Sequence, residues 1–163
     1  MGSNINQILE LQREAPVKLA TLIAGKSEDA LRRTPAPGKW SVVEVIAHMA
    51  EDELASSWRY RQMLEHPGIA LPSFDQDEWA RRGNYPSWDL ADALDMFRLL
   101  RQANVRLLSG LTDEEWDRWG THAERGRMTV ADLARHMPEH DARHLAQIER
   151  ALRAAVGGSA CAD

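Results

Sequence analysis

Met128-Thr129-Val130-Ala131-Asp132-Leu133-Ala134-Arg135-His136-Met137-Pro138-Glu139-His140-Asp141-Ala142-Arg143-His144-Leu145-Ala146-Gln147-Ile148 is the stretch on which the fold turns. Val130, Leu133, Met137, Leu145, Ile148 and, further on, Leu152 recur at helical spacing. Thr129 is a helix cap with Asp132 in the first turn, and Gly157-Gly158 marks the stop. His136, His140 and His144 stand at i, i+4 and i+8. Each four-residue step turns about 40° around the axis, so the three share one face, close to the apolar stripe. Pro138 removes one backbone hydrogen bond inside this helix and is expected to bend it, at a cost of about 3 kcal/mol unless offset.

Outward from this segment the chain keeps reading as helices. Ser41 with Glu44 forms a capping box, and Val42, Val45, Ile46, Met49, Ala50, Leu54 and Trp58 carry a second helix to Glu65, ended by Pro67-Gly68. A first helix spans Asn4 to Ala24, with a kink or break expected at Pro16. Ser87 or Asp89 opens another, lined by Leu90, Leu94, Phe97, Leu100, Val105 and Leu108 and closed by Gly110. Thr112 and Glu115 make a second capping box for a short helix through Trp119. Period-2 alternation is missing, so no strand is expected. Residues 67–88, about 20 in number and rich in Pro and Gly, exceed the usual link between antiparallel neighbours. They read as a long crossover with a short helix near Gln76–Arg81, in an all-α helical bundle.

The 163 residues suit one domain, here 4–156, with 157–163 as a flexible tail. Twenty Lys+Arg against 25 Asp+Glu leave a net charge of −5, which argues against a nucleic-acid binder and supplies no polybasic membrane signal. No apolar run approaches the ~20 residues that cross a bilayer, and no signal peptide opens the chain. Cys161 is the lone cysteine, so a disulfide scaffold is excluded and a cytoplasmic location is the simplest reading.

His48 gives the histidine row a second side. It sits two turns into its helix between Ala47 and Met49, on an apolar face. A lone histidine there is usually a satisfied core residue, but two helices turning histidines inward suggest convergence on a metal ion. Glu44, Glu51 and Asp52 lie within one turn of His48, and Asp141 follows His140. Each reads either as a solvated helix charge or as a group that orients an imidazole or takes a proton. His66 and His122 read as surface residues, and the tryptophans as core or interface fillers, with Trp79 or Trp88 a candidate pocket wall under the crossover. The pair His140-Asp141-Ala142-Arg143-His144 lacks the Glu of a HExxH motif, and there is no phosphate loop or serine elbow.

Pro37-Gly38-Lys39-Trp40-Ser41-Val42-Val43-Glu44-Val45-Ile46-Ala47-His48 resembles the start of the second helix in the DinB-like (damage-inducible) family, and residues 128–148 resemble its last long helix. The order and spacing of elements agree over about 5–153. The resemblance implies a four-helix bundle of up-down-down-up topology, commonly a homodimer, with a divalent metal, usually zinc or nickel, on His48, His140 and His144. It further implies a small-molecule substrate and one of two activities: thiol-dependent S-transfer with a low-molecular-weight thiol such as bacillithiol or mycothiol, or metal-dependent hydrolysis. A non-catalytic, stress-related metal- or ligand-binding protein is the alternative. His136, one turn before the ligand pair, is assigned a supporting or structural place.

Overall fold

The capping signals start helices where the sequence puts them. Ser41 Oγ accepts from Glu44 N while Glu44 accepts from Ser41 N. Asp89 accepts from Ala91 N and Asp92 N, and Thr129 and Asp132 exchange the same reciprocal pair of bonds. Each satisfies backbone donors that a helix leaves open in its first turn. The computed structural model describes residues 2–157.

Four long helices make the bundle: α1 (Gly2–Ile23), α3 (Val42–Glu65), α5 (Leu90–Ser109) and α7 (Val130–Gly157). Both α1 and α3 pack on α5 and on α7, so the helices form a ring in the order α1–α5–α3–α7. His48 lies against His140 and Ser56 against Met137, so α3 and α7 run antiparallel. Glu53 meets Arg101, and Arg61 further along meets Asn104, so α3 and α5 run the same way. This is the up-down-down-up bundle. Its successive helices α1 and α3 are diagonal, bridged by the short α2 (Glu28–Arg32). The long crossover holds β1 (Ala70–Leu71), α4 (Gln76–Arg82) and a 3-10 turn (Tyr85–Ser87) that lies on α3.

Two expectations are corrected. The short helix α6 stops at Trp116 (Asp113–Trp116), and Trp119 belongs to a strand. A three-stranded sheet is present, with β1 parallel to β2 (Trp119–His122) and β2 antiparallel to β3 (Gly126–Thr129). Strands of two to four residues are too short to show a period, and β1 pairs with a segment some fifty positions away. Gly120 permits that pairing: a Cβ there would sit 2.7 Å from the Leu71 side chain and 2.8 Å from the Ile69 carbonyl. Gly126, at φ +70°, closes a three-residue hairpin loop.

Helix α1 is not broken at Pro16, nor α7 at Pro138. Each proline frees the carbonyl four residues earlier, and each freed carbonyl finds another donor. Gln12 O accepts from Arg101 Nη1 at 3.2 Å, and Ala134 O accepts from Gln12 Nε2 at 2.9 Å. The tail expected at 157–163 lies outside the described residues, apart from Gly157, which ends α7.

The apolar core holds two large clusters along the bundle and a small third one of Ala47, Ala80 and Tyr85. One large cluster gathers Ile23, Val42, Ile46, Phe97 and Ile148; the other gathers Leu9, Met63, Leu108, Leu133 and Met137. Gln12, His48, Glu53, Ser56, Arg101, Asn104, His140 and Asp141 are buried as well. Such groups persist in an interior only when hydrogen-bonded, ion-paired or ligated.

Candidate metal centre and its cavity

One face of α3 carries His48, Asp52, Ser56 and Arg59 at i, i+4, i+8 and i+11, and all four line a cavity of about 850 Å³. Across from them α7 contributes His136, His140, His144 and Gln147. The hairpin supplies His122, Glu124, Arg125 and Met128, and the crossover supplies Phe74. Helical repetition supplies the two long walls, and the small sheet supplies a third.

His48 Nε2 is 3.3 Å from His140 Nε2, which is 3.1 Å from His144 Nε2. The donor atoms of all three residues lie within 4.8 Å of one another. Three imidazoles this close cannot all be charged. Burial, then the neighbouring His144, pushes His48 down to about 4; burial, then His144 and His48, pushes His140 down to about 2; burial also lowers His144. All three are therefore neutral at pH 7, the state a metal ligand needs. A tetrahedral ion with bonds of about 2.0–2.1 Å sets its ligand nitrogens about 3.3–3.4 Å apart, close to the spacing found. Three neutral nitrogens also suit zinc or nickel as a donor set.

The outer ring nitrogens are treated unequally. His144 Nδ1 lies 3.0 Å from Gln147 Oε1, and His140 Nδ1 lies 3.6 Å from Asp52 Oδ2. His48 Nδ1 is buried without a hydrogen-bond partner among the described residues, and the Trp40 ring packs 5.1 Å from the His48 ring. Burial, and secondarily Glu53, raises Asp52 to about 6.

A family model described as the DinB superfamily matches residues 11–148. The chain belongs to the DinB superfamily. Two named relatives carry the comparison further. "Putative metal-dependent hydrolase OB0413" of Oceanobacillus iheyensis is 25% identical over 135 residues, covering 83% of this chain and 78% of that one. "Putative metal-dependent hydrolase YfiT" of Bacillus subtilis is 23% identical over 150 residues, covering 90% of this chain and 83% of YfiT. The solved structure of YfiT, described as "a probable metal-dependent hydrolase with an unusual four-helix bundle topology", superposes with a TM-score of 0.87 at 21% identity. That match covers 94% of this chain and 88% of YfiT, and it shows that the two share their fold.

Within this DinB bundle the four candidate carboxylates part ways. Asp52 faces the cavity. Glu44 is spent on the α3 cap, Glu51 accepts from the Tyr85 hydroxyl at 2.5 Å, and Asp141 takes two hydrogen bonds from Arg101 at 2.7 and 3.0 Å. His136 lines the cavity, its ring 6.0 Å from that of His140. His66 is exposed, but His122 is not the surface residue expected: it is 7% exposed and lines the cavity from β2. Its burial depends on the sheet that the sequence did not announce. Phe74 lines the cavity with Trp79 stacked on it at 4.2 Å, whereas Trp88 packs against Tyr85. Arg59, Gln147 and Phe74 escaped the sequence reading. Gln147 had a usable signal, standing one turn after His144 on the same face.

Proposed function

We propose that this DinB-superfamily protein is a divalent-metal-dependent hydrolase of a small molecule, with His48, His140 and His144 as the metal ligands. The observation that carries this reading is the meeting of three imidazole nitrogens, 3.1–3.3 Å between neighbours, at the wall of an 850 Å³ cavity. The names of the relatives support it. His48, His140 and His144 would hold a zinc or nickel ion, which would supply Lewis acidity to the reaction when bound. Gln147 fixes the ring of His144 through Nδ1, whereas Asp52 stands 3.6 Å from His140 Nδ1, in electrostatic contact but beyond hydrogen-bond distance. Asp52 also faces the cavity, where it accepts a proton from the attacking water and returns it to the leaving group. Glu51 and Asp141, engaged by Tyr85 and Arg101, act by holding their helices.

Thiol S-transfer at the same histidines is the second reading, favoured by a cavity with room for a low-molecular-weight thiol beside another substrate. We also infer a homodimer and a cytoplasmic setting. The exposed Leu54 and Trp58, one turn apart on α3, support the first. No helix among the described residues is long and apolar enough to cross a membrane, which accords with the second.

Elemental analysis and turnover test the reading together. The expected result is about one divalent ion per chain, lost in His144→Ala and retained in His122→Ala. Metal-loaded protein should hydrolyse members of an ester and amide panel without added thiol. Turnover only with thiol present moves the assignment to S-transfer. Metal binding without turnover of either kind leaves a non-catalytic binding protein.

A further inference from the structure

Two arginines are buried in the bundle, and they are treated differently. Arg101, 1% exposed, is matched by two carboxylates, Glu53 at 2.8 Å and Asp141 at 2.7 Å. Arg59, 8% exposed, has no carboxylate within ion-pair distance among the described residues, although Asp52 and Glu124 act on it from farther off. Its Nη2 donates to the Pro72 carbonyl at 3.0 Å, and its guanidinium stands 5.5 Å from the centre of the Phe74 ring. A buried guanidinium is rarely left without a carboxylate, because desolvating its charge is costly. The carbonyl uses one of five N–H donors, and the ring satisfies none. Arg59 lines the cavity.

Other cations share that cavity. Arg125, at the hairpin tip, reaches to 3.5 Å from His136 Nε2. Arg143 and Arg150 line the α7 wall, and neither has an ion-pair partner among the described residues. Against these four stand Asp52 and Glu124. In a chain of net charge −5, a cavity whose arginines outnumber its carboxylates is a local inversion of sign. A concave site with an excess of one sign focuses its field on an incoming ion of the other.

We propose that the cavity binds a ligand carrying an oxyanion, carboxylate or phosphate, which docks on Arg59 and Arg125 while the rest of the ligand extends to the histidines. Arg59 follows His48 by eleven positions on α3, roughly 16 Å along the axis. The ligand's charge therefore sits at the hairpin end of the cavity and its reacting bond at the histidine end. The guanidinium fork, held by Pro72 and Phe74, matches the two oxygens of a carboxylate or phosphate. The inference names the substrate class for the hydrolase reading, but its test does not need the metal.

Calorimetric titration of EDTA-treated and zinc-loaded protein with benzoate, phenyl phosphate and the neutral benzamide decides it. Both oxyanions are expected to bind at least about tenfold more tightly than benzamide, in apoprotein as well as zinc form, and to weaken as salt is raised. Arg125→Gln and Arg59→Lys should each weaken the oxyanions about tenfold and leave benzamide and zinc uptake unchanged. The lysine variant keeps the buried charge and removes only the fork, so it guards against loss of folding. Circular dichroism identifies a variant that has unfolded, and Arg125→Gln, on an exposed loop, then carries the test alone. Equal binding of benzoate and benzamide, or oxyanion binding indifferent to Arg125, overturns the proposal. Zinc uptake without oxyanion preference rejects this inference and spares the metal site, whereas oxyanion preference without zinc uptake does the reverse. A preference for phenyl phosphate over benzoate, or the opposite, assigns the headgroup.

Discussion

Asp52 and Asp141 show how neighbouring carboxylates acquire different work. Both lie close in sequence to a cavity-lining residue, yet Asp141 is neutralised by Arg101, while Asp52 is left beside His140 with no cation within ion-pair reach among the described residues. Asp52→Asn keeps the shape and removes the proton acceptor. It is expected to lower kcat of metal-loaded protein about 10²-fold or more while metal content stays near the native level. Steady-state kinetics with elemental analysis checks this, and unchanged kcat would remove Asp52 from the mechanism. The α7 half of the histidine cluster was legible because i, i+4 spacing fixes a shared helix face. The choice among the four carboxylates was not legible, since each lies within a turn of a histidine and only the packing partners separate them.

The helices tolerate their internal prolines because a neighbouring element replaces the missing donor. Gln12 Nε2 serves the Ala134 carbonyl freed by Pro138, and Arg101 serves the Gln12 carbonyl freed by Pro16. Gln12→Met should therefore destabilise the native protein by about 1–3 kcal/mol, because a buried carbonyl loses its partner. In a Pro138→Ala background residue 138 regains its N–H, and the same change should cost about 1 kcal/mol less. A urea-denaturation double-mutant cycle measures this coupling, and strictly additive costs would contradict it. Helix boundaries were largely readable because Ser41, Asp89 and Thr129 act within one turn of themselves. The strands were not, because β1 and β2 acquire their partners only after residues 70–71 and 121–122 are brought together.

At the scale of the whole molecule, Arg101 is the point where the four long helices meet. It donates from α5 to Gln12 of α1, Glu53 of α3 and Asp141 of α7, and Asn104, one turn on, gives Glu53 a further bond at 2.7 Å. Asp141 is joined through the chain to His140, so the same contacts set the register of the metal site. Arg101→Met leaves Glu53 and Asp141 buried without their cation and is expected to cost about 3–5 kcal/mol. Chemical denaturation measures it, and a loss below about 1 kcal/mol would show that the network is not a structural hub. Light scattering tests the second copy: the homodimer requires twice the mass of the chain at micromolar concentration, and the mass of one chain would refute it.

The sequence by itself determined the helices, their caps, the long crossover and the row of histidines on α7. Each of these is written in interactions between residues three or four positions apart, where backbone geometry alone decides who faces whom. The meeting of His48 with His140 across 92 positions was expected from the inward-facing helices and the family resemblance, while only the tertiary structure decided that Asp52 rather than Glu51 turns toward them. It also decided that Arg59 goes inside with no carboxylate at ion-pair distance among the described residues and that His122 is covered. A helix face can be predicted to be polar or apolar, but which buried charges are paired is fixed by contacts between elements, and those exist only once the bundle and its small sheet have closed around the cavity.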